Sequence, residues 1–124
     1  MAEIEDIPGA RLKLRLVFGE AMIGPGKADL LEGIGREGSI AAAGRGMGMS
    51  YKRAWTLVEQ MNAAFRAPLV DSSRGGAKGG GAALTAAGER VLALYRRAER
   101  RAAEAGAAEI AELGKMLSDI PAGK

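Results

Sequence analysis

The chain has 124 residues, 48% of them hydrophobic but only 4% aromatic, and it contains no cysteine and no histidine. That composition describes one domain with a modest Leu/Ile/Val/Met core that a second subunit would help to stabilise, and it excludes disulfides, thiolate metal sites and a histidine general base. The net charge of +3 is uneven: residues 1–35 carry 4 basic and 6 acidic groups, residues 36–78 carry 7 and 3, and residues 79–124 carry 7 and 6.

Residues 1–10 read as a flexible N-terminal segment, and their early acidic groups are unlike a signal peptide. The run "RLKLRLVF", residues 11–18, alternates. Leu12, Leu14, Leu16 and Phe18 face one way and the cations Arg11, Lys13 and Arg15 the other, the pattern of a half-buried edge strand. A loop punctuated by Gly-Pro-Gly follows. Residues 27–38 predict a first helix with Ala28, Leu31 and either Ile34 or Gly35 inward, ended by Gly38. Ser39 is a suitable N-cap for a short second helix to about Gly46, with Ile40, Ala43 and Met47 inward. Gly48 falls at a turn, and Ser50 caps a third helix to about Arg66. Ala54, Trp55 in part, Val58, Met61 and Phe65 form its inward stripe at spacings of three and four.

Pro68 ends the helical pattern. Residues 68–73 and 82–85 predict two strands around the loop "RGGAKGGG", which makes a hairpin. Thr85 caps one long helix over residues 86–118, with Val91, Leu92, Tyr95, Ala98 and Ala102 as its apolar stripe and Ile110, Leu113 and Leu117 as a second one after Gly106. Residues 119–124 read as a tail. The class is α+β, mainly α. A three-helix unit followed by a hairpin is a winged helix-turn-helix, here residues 11–85.

The functional pattern lies in "GSIAAAGRGMGMSYKRAW", residues 38–55. Two helices joined by a short glycine turn set the second helix in a major groove, where its first turns meet base edges. Ser50, Tyr51, Lys52, Arg53 and Thr56 stand there; Lys and Arg can donate to guanine and Thr can touch a thymine methyl. The N–H groups at the helix starts, at Ser39 and Ser50, suit phosphates. The competing reading is a small helical bundle with a solvated basic face. Arg74 and Lys78 charge the glycine-rich loop, as a wing on the backbone or an adjacent minor groove requires. A plain flexible hairpin tip is the alternative; a nucleotide-binding loop lacks its Gly-Lys-Ser/Thr ending. Gly44 and Gly46 each cost about 0.5–1 kcal/mol in a helix interior and have no evident role in the sequence. The long alanine-rich helix is too long to be covered by a small domain, and with the edge strand it argues for a homodimer. Exposed Glu/Arg pairs along a solvated helix are the alternative. No spaced carboxylate cluster supports catalysis, so no enzyme, metal site or cofactor is expected. Without an 18-residue apolar run no membrane partner is expected, and a cytoplasmic location fits.

The strings "GMSYKRAW" and "GGGAALT", within "GSIAAAGRGMGMSYKRAWTLVEQMN" and "APLVDSSRGGAKGGGAALTAAGERVLALYRRAE", resemble the N-terminal domain of the ModE-type molybdate-dependent transcriptional regulators, a winged helix-turn-helix related to the LysR-type regulators. The resemblance spans about residues 11–100. It implies a dimeric regulator that binds a palindromic double-stranded operator through a recognition helix at residues 50–66 and a wing at residues 72–82. It also implies that the first strand (Leu12, Leu14, Leu16) and the long helix (Leu92, Tyr95) join subunits. Full-length members carry C-terminal molybdate-binding domains; this sequence shows no further strands before Lys124, so no molybdate is expected on it. Two other readings compete: an interaction module of the same fold that has lost DNA binding and pairs with another regulator or sensor chain, and an oxyanion sensor built on the glycine-rich loop.

Overall fold

The computed structural model describes residues 2–3, 10–72 and 81–118. Its elements in chain order are β1 (Ala2–Glu3), β2 (Arg11–Leu12), β3 (Leu16–Phe18), β4 (Ala21–Ile23), α1 (Pro25–Glu37), α2 (Ile40–Gly46), α3 (Tyr51–Ala64), β5 (Val70–Ser72), β6 (Ala82–Leu84), α4 (Ala86–Ala105) and α5 (Ala107–Lys115). The strands form three separate antiparallel pairs: β1 with β2, β3 with β4, and β5 with β6. The expected α+β, mainly α, winged helix-turn-helix order is present, with a long C-terminal helix in α4.

The helix starts are written locally. Ser39 Oγ accepts the Ala42 N–H at 3.1 Å, Ser50 Oγ the Arg53 N–H at 3.0 Å, and Thr85 Oγ1 the Gly88 N–H at 3.0 Å. Each bond satisfies a first-turn donor that has no partner within its own helix. The periodicity then buries the expected faces. Ala28, Leu31 and Ile34 of α1 are fully buried and joined by Leu30; Ala54, Val58 and Met61 of α3 are joined by Leu57. Each fully buried Leu or Ile contributes about 1.5–3 kcal/mol relative to exposure. Trp55 and Phe65 pack half-buried against this core.

Several expectations give way in the structure. The single strand over residues 11–18 is two short strands, because the Leu14 carbonyl between them accepts the Tyr95 hydroxyl at 2.6 Å instead of a ladder partner. The loop expected after it contains β4, which returns on β3 with Leu16 opposite Ile23; this hairpin carries Phe18 past the core, where it is 65% exposed rather than inward. The helix expected over residues 86–118 stops at Ala105 and restarts at Ala107, with Gly106 at φ −95°, ψ 8° between them. The break lets Ile110 and Ala111 fold onto Ala103, Ala10 and Leu12 in a small second cluster. Leu113 and Leu117, expected on a buried stripe, are 64% and 60% exposed. In the segment expected to be flexible, β1 pairs Ala2 with Leu12 and Glu3 with Arg11. The tail at residues 119–124 lies outside the described residues.

The structure also separates the two glycines of α2. A Cβ on Gly44 would stand 2.9 Å from the Ala54 Cβ, so α2 and α3 approach through it, whereas a Cβ on Gly46 meets nothing within 4 Å. Gly46→Ala is expected to raise stability by roughly 0.4–1 kcal/mol through the unfolded state. Gly44→Ala should lower it by about 1–3 kcal/mol by overpacking. Urea unfolding midpoints check both; a gain at both positions would show that α2 and α3 can part without loss.

Candidate nucleic-acid interface

The turn between α2 and α3 is closed by backbone bonds. The Met49 N–H reaches back to the Gly44 carbonyl and the Gly48 N–H to the Arg45 carbonyl, each at 3.0 Å. Gly48 sits at φ 72°. This is a Schellman ending, whose left-handed position a residue without Cβ occupies at no steric cost. It sets the start of α3 at a defined angle to α2.

From that start, Tyr51, Lys52 and Arg53 project into solvent, Tyr51 being 57% exposed. Thr56 and Trp55, one turn on, are half-buried. The Tyr51 and Trp55 rings stack with centroids 6.4 Å apart and an interplanar angle of 19°, which restricts Tyr51 to one side of the helix. Neither Lys52 nor Arg53 pairs with a carboxylate among the described residues. Ser50 and the half-buried Ser39 use their oxygens as caps, and their hydroxyl protons remain donors. The first turn of α3 is thus a compact donor-rich surface suited to base edges and phosphates.

The wing is anchored at its base. The hairpin β5–β6 runs from Val70 opposite Leu84 to Ser72 opposite Ala82, and the Ala82 N–H donates to the Gly38 carbonyl at the end of α1 at 2.9 Å. Asn62, on the last turn of α3, was not singled out in the sequence. Its Oδ1 accepts the Leu69 and Val70 N–H groups at 2.8 and 3.1 Å, and its Nδ2 donates to the Val70 carbonyl at 3.1 Å. The recognition helix and the wing are therefore tied through one side chain; the only hint in the sequence is the "MN" pair ending the resembling string. The expected wing contacts Arg74 and Lys78 lie outside the described residues.

The five residues expected to join subunits all pack within the chain. Leu12 belongs to the small cluster around Ala103, and Leu14, Leu16 and Leu92 lie half-buried on the main core. Tyr95 is 2% exposed. Burial pushes its phenol up to about 12, with the Glu99 carboxylate adding to the shift. Next to it Arg96 clamps α4 to α1: Nη2 reaches Asp29 Oδ1 and Glu32 Oε1 at 2.7 Å each, and Nη1 reaches Glu99 Oε1 at 3.1 Å. Burial opposes the Arg96 charge, but these carboxylates more than offset it and hold the guanidinium protonated. Burial likewise works against the Glu99 charge, and hydrogen bonding and positive charge, Arg96 included, keep its carboxyl below the usual range.

Among the described residues, no helix is long and apolar enough to cross a membrane. Residues 28–89 match the family described as bacterial regulatory helix-turn-helix protein, lysR family. The chain is 48% identical over 90 residues to the molybdenum-pterin-binding protein MopB of Rhodobacter capsulatus and 42% identical over 90 residues to the molybdenum transport protein ModE of Azotobacter vinelandii. It is 41% identical over 71 residues to the DNA-binding transcriptional dual regulator ModE of Escherichia coli (strain K12). These matches cover 73%, 73% and 57% of this chain but 32%, 33% and 27% of the relatives, so the chain spans a third or less of their length. The family match runs from α1 through both helices of the motif and the wing into the start of α4, the same elements that build the donor-rich face. The chain belongs to the lysR family of bacterial regulatory helix-turn-helix proteins.

Proposed function

We propose that this chain is a sequence-specific DNA-binding unit of a transcriptional regulator, acting in the cytoplasm as a homodimer on a palindromic operator. The observation that carries the reading is the exposed, carboxylate-free first turn of α3 behind the closed turn at Gly48. Tyr51, Lys52, Arg53 and Thr56 read base edges in the major groove, Ser39 and Ser50 meet phosphates, and the wing at residues 72–82 lies on the backbone or minor groove with Arg74 and Lys78. The names of the relatives, a molybdenum-pterin-binding protein and a molybdenum transport protein among them, support target genes concerned with molybdenum. A homodimer is supported by Leu113, Met116 and Leu117, spaced three and four apart and 60–78% exposed, and by Leu94 at 46%.

The test is recovery of genomic fragments by the purified protein near physiological salt with nonspecific competitor present. One enriched palindrome is expected, its half-sites roughly 34–36 Å apart. Arg53→Ala should relax the preference at one base pair by roughly 5- to 150-fold, the equivalent of ~1–3 kcal/mol for a bidentate contact. Arg74→Gln and Lys78→Gln should instead weaken all duplexes alike. Folded, dimeric protein that enriches no motif would favour an interaction module of the same fold, and a preference untouched by Arg53→Ala would remove α3 as the reading element.

A further inference from the structure

Positive charge collects beside the recognition helix where three elements meet. Arg15 lies between β2 and β3, Lys27 in the first turn of α1, and Arg53 in the first turn of α3. Lys27 is held in place, since its Nζ donates to the Met22 carbonyl at 3.1 Å. The stem of Arg15 passes over Gly24, the residue before α1: its Cγ lies 3.7 Å from where a Gly24 Cβ would stand. A side chain at position 24 would crowd that path. Burial lowers the Lys27 pKa, and the charges of Arg15 and Arg53 lower it further, so Lys27 stands within electrostatic reach of both. No ion pair with a carboxylate involves any of them among the described residues. Nearby Asp29 and Glu32 are taken by Arg96, and Glu37 by Arg36.

Like charges gathered without a counter-ion repel one another, and an anion brought from outside relieves that repulsion. We propose that Arg15 and Lys27 hold the duplex sugar–phosphate backbone immediately beside Arg53, extending the DNA contact surface from the helix-turn-helix to the start of α1 and the segment before β3. This inference rests on the DNA-binding function proposed for the chain and adds two residues to it. Their role is to position the duplex: phosphate contacts set register and orientation, and the neighbouring Arg53 reads the base edge. A duplex is favoured over a free anion because Arg53 ties the cluster to the face that meets DNA.

The experiment measures duplex affinity by fluorescence anisotropy as salt is raised, using the unsubstituted protein, Arg15→Gln, Lys27→Gln and Lys27→Arg, on the recovered operator and on an unrelated duplex. Arg15→Gln and Lys27→Gln are each expected to weaken both duplexes by the same factor. Each should lower the steepness of log affinity against log salt by about 0.9 for every phosphate that is no longer neutralised. Lys27→Arg should restore the slope. Arg15 is exposed, so its variant keeps the fold, and a thermal melt verifies this for Lys27→Gln. Full duplex binding with an unchanged slope in Arg15→Gln would overturn this inference and leave the DNA-binding function standing. Absence of any duplex binding by the unsubstituted protein would overturn both. Inorganic phosphate is expected to leave the melting temperature unchanged; a rise seen in the unsubstituted protein and abolished in Arg15→Gln would assign the cluster to a free anion instead.

Discussion

Gly88→Ala is expected to destabilise the chain more than a methyl group added at either glycine of α2. Gly88 is buried in the first turn of α4 and faces the backbone of Leu69. A Cβ there would overlap the Leu69 carbonyl oxygen and stand 3.0 Å from its carbonyl carbon and 3.3 Å from its Cα. Leu69 has no room to withdraw. Its side chain is fully buried, its N–H is held by Asn62 at 2.8 Å, and its carbonyl accepts the Thr85 N–H at 2.9 Å. Overpacking against movable side chains costs about 1–3 kcal/mol, and an obstacle made of fixed backbone places this change at ~3 kcal/mol or more. Against a total stability of about 5–15 kcal/mol, the melting temperature should fall by roughly 10 °C or more. Thermal melts followed by circular dichroism check it. Alanine is otherwise the better helix former by ~1 kcal/mol, so an unchanged or higher melting temperature would show that α4 and the start of the wing are not in close contact.

The second large effect is expected at Asn62. Asn62→Ala removes three hydrogen bonds at once, two from backbone N–H groups of Leu69 and Val70 and one to the Val70 carbonyl. Leu69 and Val70 are buried, so water does not readily take the place of the amide. A buried polar group left without a partner costs about 1–3 kcal/mol, and the sum here should reach about 2–4 kcal/mol. The urea midpoint measures it. DNA binding gives an independent readout: if Asn62 fixes the wing to α3, the variant should lose affinity for every duplex while the base preference set by α3 survives. A variant as stable as the unsubstituted chain would mean that β5 is held by its ladder with β6 alone. Both predictions meet at Leu69, the point where the recognition helix, the wing and α4 are joined.

The residues that build the candidate interface were legible because each acts through its own neighbours in the chain. Ser39, Ser50 and Thr85 cap helices through bonds to N–H groups three residues on, and Gly48 supplies a left-handed turn that needs no distant partner. The exposure of Tyr51, Lys52 and Arg53 follows from the same period that buries Ala54, Val58 and Met61. What the period leaves open is the partner that covers each face. Tyr95 belongs to an apolar stripe of α4, but its hydroxyl reaches the Leu14 carbonyl, 81 residues away, and its ring is buried in the chain's own core. Of the Glu/Arg pairs that are the alternative reading of α4, Arg96 keeps Glu99 at three residues and adds Asp29 and Glu32 from α1. Gly44 is a weak spot in α2 by helix propensity alone, and the Ala54 Cβ packed against it gives it a role. The gathering of Arg15 and Lys27 near Arg53 likewise has no sequence signature, because it brings a residue between two strands to the starts of two separate helices. Local hydrogen bonding and side-chain periodicity thus determined the helices, their caps and the donor-rich start of α3. Only the packing of α1, α3, α4 and the wing on one another decided where the strand and the long helix break, which carboxylates are neutralised and which cations are left without a carboxylate partner among the described residues, since these depend on distances between residues far apart in the chain.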